Sequence, residues 1–226
     1  MSPSLPTYTA VRAVQAPALR ADWQDAAWLP AAELEIAHFR PESSPHHPRT
    51  LARLVYDDEY LHGIFRVEDR YVRCTRTRYM DAVYKDSCVE FFVEPPGGKG
   101  YFNFEFNCGG ALLCSHVRDF RRTPAGLADA LPIPEDEAAR VGVRSSLDAL
   151  VEPEVAEPLT WTLQFRIPFA LLAAHAGAPC PAEGQVWRAN FYKCAEENSH
   201  PHWAAWSPVD ELNFHLPRCF GELRFA

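Results

Sequence analysis

Two acids and two amides on a predicted hairpin carry the first chemical signal in this chain. Residues 85–107 read KDSCVEFFVEPPGGKGYFNFEFN. Glu90 alternates there with Val89 and Phe91, with Phe92 and Val93 continuing the run. After a Pro-Pro-Gly-Gly turn, Asn103, Glu105 and Asn107 alternate with Phe102, Phe104 and Phe106. Period two sends such sets to opposite faces of a sheet. One face is therefore core, and the other offers Glu90, Asn103, Glu105 and Asn107 to a polar, hydroxylated ligand. Flat rings suit the apolar face of such a ligand, and Tyr and Trp add a polar handle. The expected rings are Tyr79 or Tyr84 from one side and Trp203 or Trp206 from a late loop on the other. The plainer alternatives are that Trp206 plugs the sandwich edge and that Glu90 and Glu105 are solvated or paired with Arg or Lys.

Two carboxyls on neighbouring strands also raise the question of glycoside hydrolysis by Glu90 and Glu105, which needs a set separation around a cleft. Nothing in the sequence supplies the desolvated pocket that would raise one carboxyl pKa. No G-x-S-x-G, H-E-x-x-H or P-loop pattern is present, so binding without catalysis is the expectation. Calcium takes roughly six to eight oxygens. Asp57, Asp58, Asp69 and Asp86 fall near strand ends where loops could assemble them, although none has EF-hand spacing and aspartates are common in turns. His46-His47 and His200-Pro201-His202 are transition-metal donors in type, but loop histidines are more often simply solvated. No cofactor is required by any of these readings.

Composition narrows the classes. The chain has 226 residues, 47% hydrophobic and 12% aromatic, enough for a sizeable core. A net charge of -8 gives no long-range attraction for nucleic acid or an anionic membrane. No apolar run reaches the roughly 18 to 20 residues of a membrane span. The N-terminus lacks a basic region followed by an apolar stretch, so the chain as written is expected in the cytoplasm, or outside the cell if a signal has been removed. Seven cysteines without a C-x-x-C pair read as free thiols packed as small hydrophobes. A Cys108–Cys114 bridge is the alternative for a secreted protein.

The elements that must position these residues are mostly strands. Trp23, Trp28 and Leu29 open the chain as a cap on the core, followed by a strand around 34–39 and a Pro/His-rich loop at 41–49. The runs 50–56 and 60–67 flank Asp57-Asp58-Glu59 as a hairpin. Further strands are expected at 111–117, 141–145, 160–167, 186–194 and 220–225. Pro168 and Gly177 bracket a short helix. Segments 118–140 and 196–217 read as long loops, the former with one helical turn. With no repeat or linker, the expectation is one domain over 1–226, an all-β antiparallel sandwich of two packed sheets with one short helix.

Taken in order, DDEYLHGIFRVED, KDSCVEFFVEP, YFNFEFNCGGALL, TLQFRIPFALL, WRANFYKC and WSPVDELNFHLPRCFGELRF resemble the family nine carbohydrate-binding modules, from about Trp28 to Phe225. The Asp86-to-Glu90 step is the most specific fragment. The resemblance implies a β-sandwich that binds the end of a sugar chain without cleaving it. In that family a sugar ring is clamped between two aromatic side chains, and carboxylate, amide and basic groups bind its hydroxyls. It also implies an association with glycoside hydrolases and, in some members, structural calcium. Glu90 matches the family's acidic residue in this strand. The family's tryptophan ahead of that strand has no counterpart here, where Tyr79 and Tyr84 stand instead. A rival within the same superfamily is a haem-binding sandwich, for which Met80 and Lys193 would be the axial ligands.

Overall fold

The computed structural model describes residues 5–97, 99–124, 126–178 and 180–226. Residues 1–4 and Gly98 of the Pro-Pro-Gly-Gly turn lie outside them. In chain order the strands are β1 (Thr7–Arg12), β2 (Leu34–Glu35), β3 (His38–Phe39), β4 (Arg49–Tyr56), β5 (Tyr60–Asp69), β6 (Val72–Cys74), β7 (Cys88–Glu94) and β8 (Tyr101–Asn107), then β9 (Leu112–Thr123), β10 (Gly126–Pro132), β11 (Gly142–Ser145), β12 (Val151–Val155), β13 (Leu159–Pro168), β14 (Val186–Ala195), β15 (His202–Ala205) and β16 (Gly221–Phe225). Two short helices join them, α1 (Glu135–Ala138) and α2 (Phe169–Ala176).

Two sheets pack face to face, as the alternating strands require. The first runs β10-β9-β8-β7-β14-β16-β1 and the second β1-β4-β5-β13-β11. Strand β1 belongs to both: Thr7–Ala10 pair with β16, and Val11–Arg12 pair with β4. Both of those pairings are parallel, whereas the other pairings among the described residues are antiparallel. The inward set of the β7–β8 hairpin, Val89, Phe91, Val93, Phe102, Phe104 and Phe106, is wholly buried. It meets Phe65, Trp161, Leu163 and Phe165 of the second sheet. Phe165 is the hub, stacked on Phe106 with centroids 5.3 Å apart and on Phe91 at 5.6 Å.

The helix after β13 starts at Phe169 with Pro168 as its cap, and Gly177 closes it with φ +67°, a conformation glycine adopts without strain. Other expectations need correction. Segment 118–140 is not mainly loop, because β9 continues to Thr123 and turns back as β10. Register shifts around Asp129 and a largely exposed hairpin tip blur the alternation that would have revealed it. Segment 34–39 splits, β2 pairing with β4 and β3 with β15, so the chain crosses there between sheets. Trp23 and Trp28 cover the outer face of the second sheet with Leu51, Val55 and Ile64, not the sandwich interior. Leu29 is exposed. Cys108 and Cys114 are both free thiols, as are the other five. Among the described residues no helix is long and apolar enough to cross a membrane.

The hub leaves no room opposite it. A Cβ at Gly63 would lie 2.2 Å from Phe165 Cζ and 2.8 Å from Leu54 Cδ2. Overpacking of this kind costs about 1–3 kcal/mol. Gly63→Ala should therefore lower the urea stability by that amount, and an unchanged unfolding midpoint would show that the core is looser than described.

Candidate functional site

The outer face of the first sheet is organised in rows set by strand register. One row runs Trp203 (β15), Cys194 (β14), Cys88 (β7), Asn107 (β8). The next runs Tyr192, Glu90, Glu105, Leu113, and a third runs Asn190, Phe92, Asn103, Ser115. The same alternation that fills the core with phenylalanine thus sets two carboxyls and two thiols side by side on the opposite face.

That face is not open, contrary to the expectation from alternation alone. Residues 206–220 fold over it. Asn190 anchors them, its Nδ2 donating to Ser207 O and its Oδ1 accepting from Ser207 N, both at 2.9 Å. Tyr192 donates to Phe214 O at 3.0 Å, and its ring stacks on that of Phe214 with centroids 4.1 Å apart. Glu90, Asn103 and Glu105 are consequently 2%, 3% and 4% exposed, and Asn107, beneath Arg76 and Asp86, is 0% exposed. What remains accessible is a cleft of about 600 Å³, within the range typical of small-molecule sites. Tyr84, Trp203 and Phe214 supply ring surfaces to it, and Glu90, Glu105 and Glu196 supply carboxyls.

The cleft walls are fixed by polar anchors. Tyr84 sits in a short 3-10 turn, Val83–Lys85. Behind that turn, buried Asp86 accepts from the backbone N–H groups of Thr75 (3.1 Å) and Arg76 (2.9 Å), from Asn107 Nδ2 (3.0 Å) and from the Arg76 guanidinium (2.9 Å). Glu196 N and Glu197 N donate to Tyr84 O and Lys85 O, tying the turn to the end of β14. Trp203 is held by β15, its N–H donating to Ser43 Oγ at 3.0 Å and its indole N–H to Glu196 at 3.3 Å. Glu197 is neutralised by Lys85 at 2.7 Å and Arg76 at 2.5 Å.

Of the residues expected from sequence, Tyr84, Glu90, Glu105 and Trp203 come together in this cleft. Asn103 stands behind Glu105, donating to its Oε1 at 2.7 Å. Asn107 is turned away to Asp86 and Arg76 O. Tyr79 belongs to the interior, its hydroxyl donating to Ile133 O at 2.5 Å. Trp206 packs on Phe191 and against Gly221, also on the inner side. Residues 203 and 206 are three apart in nearly extended chain, so they face opposite ways. Arg122 and Phe214 also line the cleft and escaped the sequence reading, since each lies where only loop was expected.

The four aspartates do not form a shared calcium cage. Asp57 accepts from Glu59 N and Tyr60 N in the β4–β5 turn and faces His62. Asp58 pairs with Arg12, and Asp86 is the anchor just described. Asp69 faces Lys193 at 3.5 Å and His46 at 2.8 Å, joining the two sheets through a buried ion pair. Lys193 is fully buried and also bonds His202 Nε2 at 2.7 Å, so it is not free to serve with Met80 as a haem ligand. His46 and His202 are likewise spent in this network. Burial, reinforced by Lys193, pushes His202 down to about 2.

The carboxyl pair is electrostatically costly. Burial raises Glu105 to about 7, Asn103's donation offsetting part of the shift and Glu196 adding to it. Glu90 is raised well above the carboxylate range by burial, then by Cys194 and Glu105. The desolvated pocket not evident in the sequence is therefore present, created by residues 206–220. Glu105 Oε2 is buried without a hydrogen-bond partner.

Residues 24–225 match the family model described as carbohydrate-binding family 9. The chain belongs to carbohydrate-binding family 9. A provisionally designated carbohydrate-binding protein from Bacteroides uniformis is similar over 99% of this chain and all of its own, with 24% identity and a TM-score of 0.84. A family 9 module from Caldicellulosiruptor kristjanssonii, solved with cellotriose, shares 13% identity over 97% of this chain and 93% of its own, with a TM-score of 0.65. The module solved with glucose gives 13% identity, coverages of 96% and 95%, and a TM-score of 0.64. At these identities the likeness to solved structures establishes the family 9 sandwich fold. No curated protein matches.

The raised carboxyl gives a pH signature. Between about 4.5, its ordinary value, and about 7, folded Glu105 holds a proton that the unfolded chain has lost. Stability therefore falls as pH rises through that window. Glu105→Gln lacks this loss, so its stability relative to wild type should increase across the same window in urea titrations. A pH-independent difference would contradict the assignment.

Proposed function

We propose that the protein binds the terminus of a saccharide in the cleft between Tyr84 and Trp203, without cleaving it. The observation that carries this reading is the convergence of two anchored ring systems on a buried carboxyl pair. Apolar C–H faces of a pyranose suit flat rings, and its hydroxyls suit carboxyl, amide and guanidinium groups. Stacking supplies affinity; Glu90, Glu105 with Asn103 behind it, Glu196 and Arg122 supply orientation. The cellotriose and glucose held by the two family 9 structures support a glucose-type ring as the first ligand to test. Support for breakdown of carbohydrate by a separate enzyme is the role this binding would serve.

Hydrolysis by Glu90 and Glu105 is disfavoured by their placement. A glycosidase sets its two carboxyls on either side of the bond to be cut. These two are directly opposed on neighbouring strands of one face, so both approach a ligand from the same side.

Isothermal titration with cellotriose and glucose at millimolar concentrations should show binding. Tyr84→Ala and Trp203→Ala should each weaken it about tenfold, roughly 1.4 kcal/mol, whereas Tyr79→Phe should leave it unchanged. Absence of heat with a panel of neutral sugars, or equal losses in the Tyr79 variant, would overturn the proposal.

A further inference from the structure

The proposed saccharide binding makes no use of the two thiols in the row beside the carboxyl pair. Cys88 and Cys194 are directly opposed across β7 and β14, and both are free and buried. Their sulfurs and a Glu90 carboxylate oxygen all lie within 4.8 Å of one another. Cys194 Sγ is already 3.2 Å from Glu90 Oε1. We propose that Cys88, Cys194 and Glu90 form a binding site for a thiophilic divalent cation, zinc being the best match, at the floor of the cleft.

Donor type, spacing, access and charge all fit. Zinc takes thiolate at about 2.3 Å and carboxylate at about 2.0–2.2 Å in a tetrahedron, which separates two sulfurs by about 3.8 Å. The observed cluster needs only small side-chain adjustments to close on an ion. All three residues are on strands locked by register, so the donors are held on rigid elements. Cys194 and Glu90 line the cleft, giving an ion a route in and leaving its remaining position facing solvent or Glu105. Glu105 stands opposite Glu90 across β7 and β8, and its buried Oε2 lacks a partner. Among the described residues no cation forms an ion pair with either carboxyl: Lys85 is held by Glu197, and Arg122, which lines the cleft and acts on Glu105 only at a distance, donates to Asn213. Zinc takes cysteine as thiolate, so an ion would displace the two thiol protons on binding, as zinc does at structural sites.

This site does not depend on a saccharide occupying the cleft. The test is X-ray absorption on the reduced, wild-type full chain equilibrated with one equivalent of zinc and dialysed. The expected result is retention of about one zinc per chain with two sulfur neighbours near 2.3 Å and lighter oxygen scatterers. Cadmium in place of zinc should give a thiolate charge-transfer band in the ultraviolet. Cys88→Ser and Cys194→Ser should each lose one sulfur neighbour and bind at least about tenfold more weakly. Glu90→Gln should keep both sulfurs and bind more weakly. The second buried pair, Cys74 and Cys108, and exposed Cys180 are the internal controls, and their serine variants should retain the signal. Failure of wild-type protein to retain zinc, a shell without sulfur, or a signal lost with Cys74 or Cys108 would each overturn the proposal. So would loss of two titratable thiols through a Cys88–Cys194 disulfide in protein kept under reductant. Zinc retention and the sulfur count are read on the wild-type chain, so these two outcomes decide the proposal even if a variant fails to fold.

Discussion

The register of β8, β7, β14 and β15 is the constraint on which the site depends. Val89, Phe91, Phe104, Phe106 and Phe191 must face the second sheet, because together they form the ring cluster around Phe165. Strand geometry then leaves Cys88, Glu90, Glu105 and Cys194 no choice but the opposite face. A slip of one residue in β7 or β8 would drive a carboxyl into the phenylalanine core. The hydrophobic effect thus fixes the placement of polar groups that it does not itself touch.

The buried acids of this fold illustrate opposite solutions to desolvation. Asp69 is as buried as the cleft carboxyls, yet Lys193 and His46 overcome the effect of burial and hold it below the ordinary carboxylate range. Among the described residues Glu90 and Glu105 form no ion pair, and both are raised. Asp69 therefore reads as structural, bracing the two sheets against each other. The cleft pair instead keeps a buried carboxyl oxygen, Glu105 Oε2, without a hydrogen-bond partner, the kind of deficit that a bound ligand can fill. Saccharide hydroxyls and a cation are complementary answers to that deficit, one from above the face and one from within it.

Much of this was legible in the sequence, because strict alternation over 102–107, and the matching pattern over 89–93 broken only by Phe92, admits one assignment of faces. The Tyr84 and Trp203 walls were legible only as pairs of alternatives, Tyr79 or Tyr84 and Trp203 or Trp206. Choosing between them needs the strand β15 and the 3-10 turn at Val83–Lys85, which are short and have little periodicity of their own. The cover over the outer face was not legible at all. Its hold comes from Asn190, Tyr192 and Tyr101 reaching residues 207, 214 and 215, contacts between segments distant along the chain. The same reason hid β1, whose pairings with β16 and β4 join the ends of the sequence. The aspartates misled because turn formation and cation binding select the same residue type.

In the proposed mode of binding, register and cover together build a saccharide-sized slot between anchored rings above a buried carboxyl pair. A crystal structure grown in the presence of cellotriose tests it most directly. The account predicts one pyranose ring between Tyr84 and Trp203, with hydroxyls within hydrogen-bonding distance of Glu90 or Glu105. A sugar seated on another face of the sandwich, or a cleft still closed to it at saturating ligand, would contradict it.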